Sequence, residues 1–546
     1  MRAIKRLFSA MEDMPLSFRS GFFAFLGIVV IKAILENFAN GSIGGFFTAD
    51  FDSLLHYLIW FSGSYLSLVL VVYWVSGQDL KKITRFLLAL HVLIWITALI
   101  DLVAFRGEGH KLSYIYLGVS DLLRNLVTVG LHYGGVGLGQ MIIIPLFVLI
   151  IALYVYLKTG RLIRALFAGV FSYLMIFAWG AFPSLFKFGY DLLHGHPAFA
   201  EASRSVSTFF ILSGENSILS FSLPQPQTLL LGTRLQEVVQ TGLFSQLFFV
   251  AAAVVFGLWA YSMNKERFRL VVGNIRFFGI IHYYLNLLIG LLLATKSPLL
   301  NLNWTTWLSG LVLFFSYYAA YMYALGVNDI EDLAIDRVSN SERPLARGRL
   351  TEEGLSDFNF GFLVLALTGS YLAGPVVFYA VLVALMASYI YSAPPLRLKR
   401  VPFLSTFLIA LASLSAVIAG FYFLNFSKAI TSLPTVFVFV ILIFHVLWGS
   451  VKDLKDREGD RADGILTVAN LFPERASAWA VAVLAAAGYL AVPLILGVPA
   501  LVLVSIAAAL LSVYLILTSR RSHYPLFLVY YLYTGAVMVI LSLAMR

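Results

Sequence analysis

Apolar and polar positions alternate along this chain in long blocks rather than in short periods. Uncharged or nearly uncharged stretches of about 17 to 25 residues recur from Phe18 to the C-terminus, each long enough to cross a hydrocarbon core as a helix. The blocks are continuously apolar, so they predict transmembrane helices and exclude an alternating transmembrane β-barrel. Nine spans are predicted from Val272 onward, near 272–295, 304–326, 355–373, 375–391, 402–424, 433–451, 476–494, 498–518 and 524–544. Six more precede them, near 20–38, 54–75, 86–105, 138–157, 163–185 and 241–262. The stretch 112–134 carries Asp121 and Arg124, which are costly at mid-bilayer, so it is expected to lie along the interface or to re-enter. A long segment, 186–240, containing HGHPAF and SLPQPQ, is expected to hold short structure of its own on the outer side. The expected fold class is therefore all-α and polytopic, with a bundle of about six spans in residues 1–264 and a nine-helix domain in 265–546.

Composition supports the same class. Sixty per cent of the residues are apolar and only 12% are charged, so a water-soluble fold could not cover its own surface. The absence of cysteine removes disulfides, thiolate catalysis and cysteine-bound metals. The basic opening, MRAIKRLFSAMEDMPLSFRS, lacks a short apolar core with a small-residue cleavage site and is expected to be a retained cytosolic end. The net charge of +10 calls for no nucleic-acid partner, because Lys and Arg collect in cytosolic loops of membrane proteins. In the nine-span half, the loops after even-numbered spans hold fourteen Lys and Arg, and the loops after odd-numbered spans hold only Lys296 and Lys428. The even loops are thus expected in the cytosol. Lys81, Lys82, Arg85, Lys158, Arg161 and Arg164 fall on the same side if the first half has six spans.

Two polar islands interrupt the apolar text. NDIEDLAIDRVSNSERPLARG follows the second of the nine spans, and its Asp329, Asp332 and Asp336 are spaced i, i+3, i+7. On a helix continuing past the span, these carboxylates would share one face, with Asn328 beside them. KDLKDREGDRADG follows the sixth span and repeats the spacing with Asp453, Asp456 and Asp460. The shared grammar suggests a pseudo-repeat of four-helix units whose acidic ends face each other. Carboxylates about 4 Å apart repel by roughly 1 to 4 kcal/mol per pair, so six in one mouth need cations. Oxygen donors without Cys or His select Mg²⁺ or a similar hard ion. Magnesium keeps positions open to phosphate oxygens, which points to a diphosphate between two acid clusters, with Arg343, Arg397 and Lys399 as further donors. Beside a membrane cavity, the natural diphosphate is that of an isoprenoid, ionising to an allylic carbocation. Tyr317, Tyr318, Tyr321, Tyr389 and Tyr391 lie on nearby spans where aromatic faces can stabilise such a cation, although packing is the commoner duty of a tyrosine.

These segments, with YSAPPLRLKR after the fourth span, resemble the three signatures of the UbiA superfamily of intramembrane prenyltransferases. The resemblance covers about 265–546 and implies a nine-helix UbiA-like bundle. It further implies transfer of an isoprenoid from its diphosphate to an aromatic, quinone-precursor or lipid acceptor, in lipid or quinone biosynthesis. By motif, Asn328, Asp329, Asp332 and Asp336 would be metal ligands of the first cluster, and Asp456 and Asp460 of the second, with Asp453 beside them. Arg343 and Lys399 would meet the diphosphate, and Tyr391 and Arg397 would assist. The wording is closer to the chlorophyll synthase, homogentisate prenyltransferase and archaeal geranylgeranylglyceryl phosphate branches than to the 4-hydroxybenzoate branch. The first half resembles no family in the same way.

Other readings compete. Acid clusters at helix ends are usually solvated charge, but two with one spacing in matched loops are not easily dismissed. Within the superfamily, phosphoribosyl transfer to a polyprenyl phosphate is an alternative. An ion-coupled transporter of fifteen helices is another, although its acids would be expected near the bilayer midplane. Arg347, Arg349, Arg400 and Arg461 are expected only to enforce orientation. His194 and His196, in HGH, are a weak metal signal. His282, Asn286 and His445 fall within spans, where a satisfied interhelical hydrogen bond is the expected role, and Asp101 is expected to face interfacial water. Asp332 and Arg343 are expected to stand outside the packed core.

Overall fold

The computed structural model describes residues 1–39, 51–106, 116, 119–130, 136–195, 209–210, 213, 229–294, 303–425, 430–462, 464–518 and 524–544. These fall into two compact units, Met1–Phe268 and Arg269–Arg546. Among the described residues, 15 helices are long and apolar enough to cross a membrane, matching the expected six plus nine. The chain is an all-helical, multi-pass integral membrane protein.

The N-terminal unit begins with α1 (Arg2–Glu12), which buries Phe8 and Glu12 and exposes Arg2, Lys5 and Arg6. It continues through α2 (Phe18–Ala39), α3 (Phe51–Ser76), α4 (Leu80–Leu90) and α5 (Ile94–Phe105), the last two joined by a 3₁₀ turn. A short α6 (Val119–Thr128) precedes α7 (Leu138–Thr159), α8 (Leu162–Gly180), α9 (Phe182–Leu193) and the long α10 (Leu229–Met263). Ten residues of α6 cannot cross a bilayer, as the charges of this stretch required. The buried Glu12 carboxylate accepts hydrogen bonds from Tyr154 at 2.7 Å and Lys158 at 2.6 Å, so its removal from water is offset by two donors from α7. Deep in α2, the buried Lys32 pairs with Glu36 one turn on and lies 4.8 Å from the ring centre of Tyr57.

Two expectations for this unit are corrected. The span placed at 163–185 ends at Gly180, because Pro183 opens a separate helix, α9. Asp101 does not simply face water: its Oδ1 accepts from the Gly139 amide at 2.7 Å and so satisfies a free donor at the start of α7. His194 is exposed and donates to the Tyr190 carbonyl, while His196 and most of 186–240 lie outside the described residues.

The C-terminal unit starts within α11 (Lys265–Gly273) and contains α12 (Phe277–Ala294), α13 (Trp304–Glu331), α14 (Leu333–Ser339), α15 (Glu352–Ala373) and α16 (Pro375–Ser392). There follow α17 (Leu404–Asn425), α18 (Thr435–Trp448), α19 (Asp453–Ala462), α20 (Glu474–Leu496), α21 (Val502–Thr518) and α22 (Tyr524–Ala544). Nine of these are candidate spans, and α11, α14 and α19 are short helices at their ends. Around α17 the main contacts run to α12, α16 and α18, so α17 forms the centre of the unit. Its intimacy with α12 depends on two glycines. A Cβ on Gly420 would strike the Leu287 carbonyl oxygen, and one on Gly290 would strike that of Val417. Small residues let membrane helices pack backbone to backbone where no hydrophobic force drives them together.

Gly420→Val is therefore expected to cost about 1–3 kcal/mol through overpacking, read as a lowered tryptophan-fluorescence melting temperature of the purified protein. An unchanged melting temperature would show that the helices can part without penalty.

Candidate functional site

The first acidic island forms where α13 stops. The helix breaks at Asp332, whose backbone leaves helical geometry, and restarts as α14, so the single continuous helix expected here is in fact two. Asp336 still donates its amide to the Asp332 carbonyl at 2.8 Å, which keeps the carboxylates close despite the break. The second island sits on α19, entered from α18 through a 3₁₀ turn at Gly449–Lys452.

Asp329, Asp332, Asp336 and Asp453 are buried, Asp456 and Asp460 are half-buried, and the first five of these carboxylates have each found a cation or a donor. Asp329, 2% exposed, pairs with Arg276, accepts from Asn274 at 2.6 Å and lies 3.4 Å from Arg343. Arg343 also pairs with Asp336, so one guanidinium ties two acids. Asp332 pairs with Lys399, accepts from Arg397 at 3.0 Å and from the Asn328 amide at 2.8 Å. It is buried rather than outside the core, which corrects the expectation; Arg343 is half-buried. Arg397 holds its place from a left-handed backbone, φ 43°, in the loop after α16, and donates to the Glu331 carbonyl as well. A non-glycine residue in that region is strained, and such strain collects where a side chain must be aimed. Across the site, Lys452 donates to Asp453 at 2.6 Å and to the Tyr391 hydroxyl at 2.8 Å.

One contact joins the islands. The Asn340 amide donates to Asp336 Oδ1 and to Asp456 Oδ1, both at 3.2 Å, so acids 120 positions apart in sequence share a single bridging group. Asp460 comes close enough to Lys399 for its charge to act on that ammonium. Burial lowers Lys399 below its ordinary range, and Asp332 opposes the shift. Burial raises the Asp336 carboxyl, with Arg343 pulling it back.

The family model of UbiA prenyltransferases matches residues 283–527. The C-terminal half carries the UbiA match. The curated 2-acylphloroglucinol 4-prenyltransferase of Humulus lupulus is 32% identical over 159 residues, which is 27% of this chain and 37% of that one. Digeranylgeranylglyceryl phosphate synthase of Sulfolobus acidocaldarius is 26% identical over 181 residues, 33% of this chain and 63% of that one. These alignments span between about a third and two thirds of the relatives' own length. A solved UbiA homolog from Archaeoglobus fulgidus, bound to GPP and Mg²⁺, is 18% identical and covers 51% of this chain and 98% of that one, with a TM-score of 0.40.

Within the UbiA-matching unit, the motif residues Asn328, Asp329, Asp332, Asp336, Arg343, Tyr391, Arg397, Lys399, Asp453, Asp456 and Asp460 gather around this one polar mouth. Tyr389 is exposed elsewhere, Tyr317 is buried near Ser415, and Tyr321 spends its hydroxyl on the Arg276 carbonyl. Arg347, Arg349, Arg400 and Arg461 are exposed. Sequence reading missed Asn274, Arg276, Asn340 and Lys452. Among the described residues, no three His, Asp or Glu side chains converge as a ready metal site; basic groups sit between the acids instead. The donor set nevertheless fits a hard cation. It consists of carboxylate and amide oxygens only, drawn from both islands to within the reach of one bridging amide.

The tight Asp332–Lys399 contact gives a stability test. Lys399→Met leaves a buried carboxylate short of a donor and is expected to cost about 1–3 kcal/mol, whereas the double variant with Asp332→Asn should recover part of that loss. Strictly additive melting shifts would show that the two side chains do not depend on each other.

Proposed function

We propose that the C-terminal unit is a Mg²⁺-dependent prenyltransferase, moving an isoprenoid from its diphosphate to an aromatic, quinone-precursor or lipid acceptor at the cytosolic membrane surface. The observation that carries this reading is the Asn340 bridge, which brings two acid islands with interleaved cations into one mouth at the ends of apolar helices. Magnesium would be held by Asn328, Asp329, Asp332, Asp336, Asp453, Asp456 and Asp460, and when bound it supplies charge neutralisation for the leaving diphosphate. Arg343, Arg397 and Lys399 are the donors for phosphate oxygens, and their present carboxylate partners keep them preorganised. Arg276 and Lys452 add two further positive charges to the same mouth. Tyr391 is held beside the second island by Lys452. Chain-length and acceptor preference then depend on helices below the mouth. The match of residues 283–527 to the family model supports the same class.

The test is incubation of the purified full chain with labelled geranylgeranyl diphosphate, magnesium and total lipid or quinone-precursor extract, with products identified by mass spectrometry. A magnesium-dependent prenylated product is expected, lost with EDTA and restored by added Mg²⁺. Asp456→Asn, at a half-buried position, should reduce it at least about a hundredfold, in line with removal of one charge-stabilising group. Undiminished transfer by the Asp332→Asn, Asp456→Asn double variant would refute the assignment.

A further inference from the structure

In the N-terminal unit, α1 presents three flanks of different chemistry. Phe8 and Glu12, one turn apart, face the protein. The Phe8 ring centre lies 5.1 Å from that of Phe86 on α4 and 5.9 Å from that of Tyr154 on α7, and the Glu12 carboxylate holds Tyr154 and Lys158. Arg85 of α4 reaches the Glu12 carbonyl at 3.4 Å, and Lys82 lies 3.8 Å from Asp13. Contacts from two spans thus grip the second half of α1 and fix the direction its other flanks face. Phe86 stands six residues, about 9 Å, inside α4, and Tyr154 five residues, about 8 Å, before the end of α7. Rings at that depth set α1 against the ends of the spans, at the level of the bilayer interface.

Ile4, Leu7 and Met11, spaced i, i+3, i+7, make the second flank. Ile4 and Leu7 are 37% and 59% exposed, and Met11 is half-buried. Arg2, Lys5 and Arg6 make the third with Ser9, all exposed, and among the described residues none of these three cations meets an acidic side chain. Charge of the same sign surrounds the foot of the helix: Lys81 at the start of α4, and Arg161 and Arg164 just past Lys158, are also exposed. The acids nearby are already engaged. Glu12 is buried, Asp13 faces Lys82, and Asp79 caps α4 by accepting from the Lys82 amide at 3.1 Å. An apolar flank at interface depth, adjoining a cationic flank without counter-charge, suits a helix lying among anionic headgroups. A soluble anion would leave Ile4 and Leu7 in water, and an apolar protein surface would strip Arg2, Lys5 and Arg6 of solvent without pairing them.

We propose that α1 and the cations at its foot form a binding surface for anionic phospholipid headgroups, with Ile4, Leu7 and Met11 among acyl chains and Arg2, Lys5 and Arg6 on the phosphates. The Glu12 mooring sets the depth at which those cations meet the headgroups, because Tyr154 and Lys158 hold it to α7. Lys81, Arg161 and Arg164 widen the positive field around the helix. The two flanks respond differently to salt. Attraction between the cations and the headgroups fades as the Debye length shrinks, whereas contact of Leu7 with hydrocarbon persists. This surface lies wholly within the N-terminal unit and stands apart from the prenyltransferase reading.

The chain has no cysteine, so Leu7→Cys gives a single site for a fluorophore in the full chain, reconstituted in phosphatidylcholine nanodiscs. Brominated lipid, which quenches on contact, is supplied at one mole fraction either as phosphatidylcholine or as phosphatidylglycerol. Both are expected to quench, which sets Leu7 among lipid. Phosphatidylglycerol should be preferred at least about fivefold, the weight of a single cation near an anionic surface. The preference should fall below about twofold in the triple variant Arg2→Gln, Lys5→Gln, Arg6→Gln, and likewise in about 1 M salt, while quenching by phosphatidylcholine remains. Equal quenching by the two lipids in the parent chain overturns the proposal, as does a preference that the triple variant retains. Quenching by neither lipid, the result of a flank covered by protein or facing water, overturns it too. A preference abolished by excess inorganic phosphate at constant ionic strength would reassign the cations to a soluble anion and overturn the lipid assignment. Should a fluorophore at Leu7→Cys displace the helix, the same measurement at Ile4→Cys, on the same flank, decides the matter.

Discussion

The C-terminal unit is organised by one electrostatic constraint: several carboxylates withdrawn from water at the ends of membrane helices cannot persist as neighbouring charges without positive partners. Arg276, Arg343, Arg397, Lys399 and Lys452 provide them, reaching the site from four separate segments, with Arg397 and Lys399 sharing the loop after α16. A buried carboxylate stripped of its partner is far more expensive than the pair is favourable, so every loop that contributes a cation is held in register by the acid it meets. The helix break at Asp332 belongs to the same arrangement, since it lets Asp329 and Asp336 share Arg343 while Asp332 turns to Lys399 and Arg397.

Such pairing suits the phosphate handling proposed for this unit. Cations already fixed by carboxylates need no large reorganisation to face an anion, which is the physical content of preorganisation. The imidazole group one and a half turns deeper follows the opposite logic. There neutral side chains satisfy one another, His282 meeting Ser413 and Tyr530 while His445 meets the same Tyr530 hydroxyl.

Span number and the acidic islands were legible because each is a local property of the text. A continuous apolar block has a length, and Asp329, Asp332 and Asp336 have a spacing. Partners were not legible, because they depend on approach between distant segments. Arg276 looks like an isolated cation ahead of a span until α12 and α13 place it beside Asp329, 53 positions away. Lys452 counts equally well as a topological charge, and Asn340 as a loop residue, until α14 and α19 meet. Asp101 misled for the same reason, since only the fold brings the start of α7 to its carboxylate. Pro183 carried a readable signal, a helix-opening proline inside an apolar stretch, that length alone overrode.

The glycine seam between α12 and α17 bears on how large molecules come and go. Where main chains touch directly, no side chain exists to swing aside, and Gly290 and Gly420 leave the two helices with no slack. His282 and Ser413 ride on opposite walls of that seam, so their separation is set by backbone geometry rather than by rotamer choice. Under the proposed function, a long hydrocarbon chain would enter by yielding of other helix pairs, with α12 and α17 serving as the stationary jamb of the doorway.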